Sequence, residues 1–247
     1  MNNLTNKNLV VEFVGLPGSG KTTIYHKVYE DLKLEGLLHN TDGFNLHSGF
    51  KHKLYSLLSY GKYFIGNPIL NFQALFNIVN SDQSSYYDLQ IALKAWLGSS
   101  YLIDFYKKNT FGVNLIDQGV FQALWQIGFG SQEIDIARIY GQIFSNAPDL
   151  IILLEASIET ISRRINNRES PGRLDNRISL SPHYLDKAFD LYQQIKSMLF
   201  EISRDNKIKS LVINNDSDGD VITKSKIVVD FIRAEWQYSM CGEICQS

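Results

Sequence analysis

Cysteine is scarce in this chain of 247 residues, which contains only Cys241 and Cys245. The two lie close together near the C-terminus, and a single C-x3-C pair lacks the second half of a zinc site. We interpret both as free thiols of a reducing compartment, and we therefore expect the protein to be cytoplasmic.

The chain also lacks an excess of charge of either sign. Its 24 Lys and Arg residues nearly balance 26 Asp and Glu residues, which gives a formal net charge of -2. Proteins that bind nucleic acid usually carry a clear basic patch or a high positive charge. The composition therefore gives no reason to expect nucleic acid as a partner.

No stretch of the sequence is apolar for long enough to cross a bilayer. The most apolar window, residues 63–79, is interrupted by Gly66, Pro68 and four Asn or Gln residues. The first eight residues are polar and lack the basic and apolar regions of a signal peptide. We therefore expect no transmembrane segment.

The most informative stretch is an apolar segment, Val10–Val14, followed at once by Gly15–Thr23. The second segment reads GLPGSGKTT, which is a Walker A motif placed between a predicted strand and a helical pattern. Its glycines let the backbone fold around a phosphate with N–H groups pointing inward. The alternative is a glycine turn that only joins a strand to a helix, and the flanking elements favour phosphate binding.

Each residue type in this motif has an expected role. Lys21 is expected to reach the β- and γ-phosphates, and the Thr22 hydroxyl to ligate Mg²⁺. The helix that begins near Lys21 adds the partial positive charge of its N-terminus. The nucleotide-binding residues predicted in this segment are Gly15, Pro17, Gly18, Ser19, Gly20, Lys21, Thr22 and Thr23.

A short second strand is predicted at residues 37–40, directly before Thr41-Asp42-Gly43. Ligands bind at the carboxyl ends of the strands in open parallel sheets, so Asp42 is a candidate catalytic base or Mg²⁺ partner. An Asp-Gly sequence is equally typical of a simple turn. The two interpretations are evenly balanced.

Residues 44–108 form a helical, aromatic-rich region between the second and third predicted strands. Helices are predicted at residues 47–60, 68–80 and 83–107. Aromatic residues at helical spacing usually belong to a core. However, a kinase with such a glycine-rich loop would carry its acceptor site in an insertion at this position.

A third strand is predicted at residues 111–116, and it ends in Asp117. If this strand lies parallel to the first one, Asp117 comes beside Lys21 and Thr22, where a Walker B acid helps to hold Mg²⁺ through water. An Asp at a strand end is also common in turns, but the pairing with the loop favours the functional interpretation.

Two more strands are predicted, at residues 150–154 and 208–213. With the first three they give five strands that alternate with helices. This pattern predicts a single doubly wound α/β domain over residues 1–247.

Five arginines and no lysine occur between residues 159 and 177: Arg163, Arg164, Arg168, Arg173 and Arg177. A solvated charged face is the simplest explanation of such a run. The exclusive use of Arg nevertheless favours bidentate recognition of an anion.

Together these segments resemble the thymidylate kinase-like branch of the P-loop kinases, which also contains the deoxynucleoside kinases. The matching parts are Gly15–Thr23, Asp117-Gln118-Gly119 and the block from Pro148 to Ile195. The resemblance implies a P-loop three-layer fold: a five-stranded parallel sheet in the order 2-3-1-4-5, with helices on both faces. It also implies ATP on the loop and an arginine-rich lid at about residues 164–180.

The same resemblance implies roles for three arginines. Arg164 would lie near the adenine, and Arg168 and Arg173 would stabilise the charge that develops on the transferred phosphoryl group.

The sequence departs from the family pattern on the acceptor side. Family members carry an Arg after the acid of the third strand, where this chain has Gln118. The Glu or Arg-Glu-Pro signature after the second strand is also missing, and Thr41-Asp42-Gly43 is the nearest substitute. These differences favour an uncharged acceptor hydroxyl over a nucleoside monophosphate.

The leading hypothesis is an ATP- and Mg²⁺-dependent kinase for a small-molecule acceptor, with Lys21, Asp42, Asp117, Arg168 and Arg173 as catalytic residues and Thr22 and Asp117 at the metal. The acceptor could be a nucleoside, a sugar or a specialised metabolite. One alternative is a nucleoside or nucleotide kinase, and another is an NTP-binding regulatory or assembly protein. The oligomeric state is open, with a homodimer as one alternative.

Overall fold

The computed structural model describes residues 7–38, 61, 63–66, 68–132, 135–143, 147–168, 182–204, 208–217 and 219–241. The predicted helix at 47–60, Asp42 and Arg173 lie outside these residues. The same is true of most of the predicted lid.

The described residues form a sheet of four parallel strands: β1 (Asn8–Gly15), β2 (Gly112–Ile116), β3 (Leu150–Glu155) and β4 (Lys209–Asn214). The strand order is β2-β1-β3-β4. Strands β1 and β3 are buried almost throughout, as expected for strands that are covered on both faces. The glycine-rich loop therefore leaves the sheet from a central position.

The prediction of five strands in the order 2-3-1-4-5 is wrong for the described residues. Where a second strand was predicted at 37–40, only Leu38 pairs, through an isolated parallel bridge to Val113 of β2. Gly36, with φ of 70°, ends the preceding helix, so that just Leu37 and Leu38 precede the undescribed residues. Two residues are too few to form a regular strand.

Eight helices of eight or more residues accompany this sheet in the described part of the chain. They are α1 (Lys21–Leu34), α2 (Pro68–Val79), α3 (Tyr86–Asn109), α4 (Val120–Gly130), α5 (Ile136–Ile143), α6 (Ile158–Asn166), α7 (Pro182–Arg204) and α8 (Val221–Cys241). The helices predicted at 68–80 and 83–107 are confirmed with small shifts of their ends.

The helices cover both faces of the sheet because the side chains of β1 alternate between them. Val10 and Val14 pack in a cluster with α3, α4 and α7. Val11 and Phe13 pack in a second cluster with α1 and α8. The sheet therefore has a hydrophobic core on each side.

Within the described residues, no helix combines the length and the apolar character that crossing a membrane requires.

Candidate functional site

The glycine-rich loop, Gly15–Gly20, connects the end of β1 to the start of α1. Gly18 and Gly20 have φ values of 86° and 84°, in the left-handed region that favours glycine. Gly20 is the N-cap residue of α1, so the loop ends at a helix N-terminus. This combination of left-handed glycines and a helix N-terminus is suited to binding an anion.

Close packing explains a further glycine in the loop. A Cβ atom on Gly15 would lie 2.6 Å from Ser19 Oγ and 2.9 Å from the backbone oxygen of Leu154. Gly15 therefore packs closely against Ser19 of the same loop and against Leu154 at the end of β3.

Lys21 and Asp117 form an ion pair at the carboxyl edge of the sheet. Lys21 Nζ lies 2.5 Å from Asp117 Oδ1 and donates a second hydrogen bond to the Asp117 backbone oxygen at 2.7 Å. The side chains are 10% and 29% exposed, respectively. Strands β1 and β2 are parallel neighbours, with Glu12 opposite Ile116, so their carboxyl ends bring the two residues together.

Thr22 and Thr23 are exposed in the first turn of α1. The Thr22 hydroxyl and the Asp117 carboxylate are oxygen donors of the kind that Mg²⁺ prefers, so these residues fit a magnesium ion. Among the described residues no group of three or more His, Cys, Asp and Glu residues could hold a metal ion. Mg²⁺ bound with a nucleotide does not need such a group, because phosphates and water complete its coordination.

Glu12 is a fully buried carboxyl group in the middle of β1. Its Oε1 atom accepts hydrogen bonds from the backbone N–H groups of Phe121 and Gln122, at 2.8 and 3.0 Å, in the first turn of α4. Burial raises the pKa of Glu12 to about 7, although these hydrogen bonds and the charge of Lys21 act in the opposite direction.

Glu12 also fixes the turn that carries Asp117. A Cβ atom on Gly119 would lie 2.4 Å from the Glu12 carboxyl group, so only glycine fits beside it. The carboxylate thus holds the chain between Asp117 and α4 in place.

Arg164 lies against the outside of the glycine-rich loop. Its Nη1 atom donates to the backbone oxygen of Gly18 at 3.2 Å, and Nη2 donates to the backbone oxygen of Asn215 at 2.8 Å. Arg168 is exposed and follows the end of α6. The adenine contact proposed for Arg164 and the phosphoryl contact proposed for Arg168 remain predictions.

The structure thus brings together Lys21, Asp117, Arg164 and the predicted loop residues. Asp42 and Arg173 lie outside the described residues, and their roles stay predictions.

Three buried polar residues near the loop are not among the residues predicted from the sequence: Glu12, Asn215 and Lys224. A charged residue within an otherwise apolar strand was the available signal for Glu12. Asn215 follows β4 at the carboxyl edge of the sheet, a position at which polar residues often contact ligands. The burial of Lys224 could not be predicted from the sequence, because a single Lys in a helix is usually on the surface.

No protein-family model matches the chain, and no curated protein matches its sequence. The chain is similar in structure to deoxyadenosine kinase from M. mycoides with bound dATP, at 14% identity and a TM-score of 0.51. That comparison covers 91% of this chain and 100% of the other. A second structure of the same kinase, with the products dCMP and a flexible dCDP, gives 14% identity and a TM-score of 0.52. It covers 92% of this chain and 99% of the other.

Thymidylate kinase from Ehrlichia chaffeensis gives a TM-score of 0.46 at 14% identity, over 92% of this chain and 99% of that one. At 14% identity, a structural similarity supports a statement about the fold alone. The two comparisons with TM-scores above 0.5 establish this similarity in fold. The chain is therefore similar in fold to deoxyadenosine kinase, and the predicted resemblance is confirmed at that level.

Proposed function

We propose that the protein is an ATP- and Mg²⁺-dependent kinase that transfers the γ-phosphoryl group to a hydroxyl of a small molecule. The observation that carries the proposal is the 2.5 Å contact between Lys21 and Asp117, at the end of a glycine-rich loop. A Walker lysine and a strand-terminal acid at one sheet edge are the residues that phosphoryl transfer requires in proteins of this kind.

The residues of the loop would bind and orient the polyphosphate. The loop amides and the N-terminus of α1 hold its oxygens, and Lys21 leaves Asp117 to contact the β- and γ-phosphates. Thr22 and Asp117 would hold Mg²⁺, which neutralises charge on the phosphates when it is bound.

The acceptor side of the proposal depends on residues outside the described part of the chain. Asp42 would orient the acceptor hydroxyl and take its proton, and Arg173 together with Arg168 would neutralise the transferred group. Because phosphoryl transfer has a loose transition state, positioning by Asp42 can matter more than proton removal.

The proposed activity is tested by measuring ADP release across a panel of nucleosides, nucleoside monophosphates, sugars and amino alcohols. We expect acceptor-dependent ADP release, a product heavier by one phosphoryl group, and no activity in Lys21→Ala. Lys27→Met is the matched control, because Lys27 is on the same helix and pairs with Asp31 instead. Equal turnover by Lys21→Ala and the wild type would contradict the proposal.

A second candidate function is phosphorylation of a deoxynucleoside or a nucleotide. It is supported by the similarity in fold to deoxyadenosine kinase, at a TM-score of 0.51 and 0.52. Deoxyadenosine, deoxycytidine, thymidine and their monophosphates therefore belong in the panel. Nucleotide binding without any acceptor dependence would instead favour an NTP-binding regulatory protein.

A further inference from the structure

Lys224 is a charged residue buried inside the protein. It lies on α8, is only 7% exposed, and donates to Asn215 Oδ1 and Ser217 Oγ at 2.9 Å and to the Ser217 backbone oxygen at 3.0 Å. These three neutral oxygens are its hydrogen-bond acceptors among the described residues. Burial of an ammonium group is costly even when it is hydrogen-bonded, and an apolar side chain could fill the same space.

The contact with Lys224 determines how the Asn215 side chain is oriented. An ammonium group can only donate hydrogen bonds, so it is the amide oxygen of Asn215 that faces Lys224. The amide nitrogen therefore faces the opposite way, and Nδ2 donates to the backbone oxygen of Ser19 at 2.7 Å. Asn215 is itself 5% exposed and anchored through its backbone N–H, which donates to the backbone oxygen of Glu155 at 2.6 Å.

The hydrogen bond to Ser19 fixes one peptide group of the glycine-rich loop. In a planar trans peptide, the carbonyl of Ser19 and the N–H of Gly20 point in opposite directions. Because Asn215 holds the carbonyl, the N–H of Gly20 points away from Asn215, to the side where the motif predicts the phosphates. A Cβ atom on Gly20 would lie 2.2 Å from Asn215 Nδ2, so this arrangement also requires glycine.

We propose that Lys224, acting through Asn215, is a positioning residue that holds the glycine-rich loop ready to bind the polyphosphate of a nucleotide. This inference rests on the proposed function, since it takes the loop to be the polyphosphate site. Arg164 supports the same arrangement from α6, because it contacts Gly18 and the backbone oxygen of Asn215. Asn215 and Arg164 thus hold the loop directly, and Lys224 acts through Asn215.

The test compares the binding of tripolyphosphate and of ATP, by calorimetry, to full-length wild type, Lys224→Met and Asn215→Ala. We expect both variants to bind both ligands about tenfold more weakly, the loss typical of one strong hydrogen bond. Lys226→Met is the matched control, because Lys226 is exposed on the same helix and the charge change is identical. Measurements are made at a temperature at which circular dichroism shows each protein to be folded.

Hydrogen exchange of the segment 15–23 provides a second readout in the free proteins. The segment should exchange faster in Asn215→Ala than in Lys226→Met, since a released peptide group is less protected. If Lys224→Met does not fold, Asn215→Ala still removes the hydrogen bond to Ser19, while Lys224 keeps both acceptors on Ser217.

The possible results separate this inference from the proposed function. Wild-type affinity for tripolyphosphate in both variants would overturn the positioning role, provided that Lys21→Ala abolishes binding. A loss confined to ATP would also overturn it, because Asn215 would then act on the nucleoside part of the ligand. A wild-type protein that binds neither ligand would contradict the proposed function itself.

Discussion

Asp117 has two effects on the candidate site that oppose each other. Its carboxylate holds Lys21 at 2.5 Å, so a polyphosphate must compete with it for the lysine. The same carboxylate is proposed to hold Mg²⁺ through water. Removing its charge should therefore strengthen the binding of a polyphosphate to Lys21 and weaken the binding of Mg²⁺.

Asp117→Asn separates these two effects. Without Mg²⁺, we expect ATP to bind about threefold more tightly, since a partly exposed ion pair contributes about 0.5–1 kcal/mol. With Mg²⁺, we expect the rate of phosphoryl transfer to fall by roughly 10- to 100-fold, as for other outer-shell metal partners. Calorimetry in EDTA and turnover assays in Mg²⁺ measure the two quantities; unchanged turnover would remove Asp117 from the metal site.

Glu12 should make the stability of the protein depend on pH. Its folded pKa of about 7 lies above the ordinary value of 4.5. The protonated form is thus favoured by folding, and its stabilising contribution is fully present below pH 4.5 and lost as the pH rises through about 7. Lys21 and Tyr140 are titratable groups that interact electrostatically with this carboxyl group.

Glu12→Gln keeps an oxygen for the N–H groups of α4 but cannot ionise. Between pH 5 and pH 8 we expect the wild type to lose about 2 kcal/mol more unfolding free energy than the variant. Urea unfolding of both proteins at the two pH values provides the measurement. Parallel pH profiles would show that Glu12 does not titrate in this range.

The positions of single residues could be predicted from the sequence where those residues follow directly after neighbouring strands. Lys21 and Asp117 were expected to meet because both follow strands that lie side by side. Asn215 and Lys224 could not be identified in the same way. Asn215 contacts Ser19, and Lys224 contacts Asn215, only because α8 and the end of β4 pack beside the loop.

Helix α6 shows how one element positions a residue of the site. Ser157 is its N-cap, and its hydroxyl accepts a hydrogen bond from the Thr160 N–H at 3.3 Å. Ile161 and Ile165 are buried on one side of the helix, and Arg164 contacts the glycine-rich loop. The cap therefore helps to fix the position of the helix backbone from which the Arg164 side chain extends to the loop.

Ser157→Ala should remove the cap and destabilise the protein by about 1 kcal/mol, the usual cost of losing an N-cap hydroxyl. Thermal or urea unfolding measures this change, and Ser157→Thr, which keeps a hydroxyl, is the control. If Ser157→Ala and the wild type unfold at the same urea concentration, the hydroxyl has no capping role.

Elements with a strong periodic pattern were predicted well from sequence, and a short one was not. Helices α2 and α3 lie within a few residues of their predicted bounds because their apolar positions recur over many turns. Of the strand predicted at 37–40, the described residues show only the bridge at Leu38, because an apolar pair after Gly36 carries too little information to distinguish a strand from a single bridge.

On the scale of the whole molecule, the alternation of strands and helices was enough to predict a parallel sheet with helices on both faces. Such alternation leaves few topologies, since parallel strands need crossover connections. The assignment of residues 1–247 to one domain stays a prediction. The identity of the proposed acceptor could not be predicted from the sequence, because specificity depends on the shape of a pocket rather than on a motif.

Helix α4 has a consequence for any attempt to redesign this protein. Ten of its eleven residues are buried, and it begins in the turn that follows Asp117. Substitutions along such a helix disturb packing on several sides at once. Substitutions in α4 are therefore expected to lower stability, and sequence libraries are better directed at the solvent-facing positions of neighbouring elements.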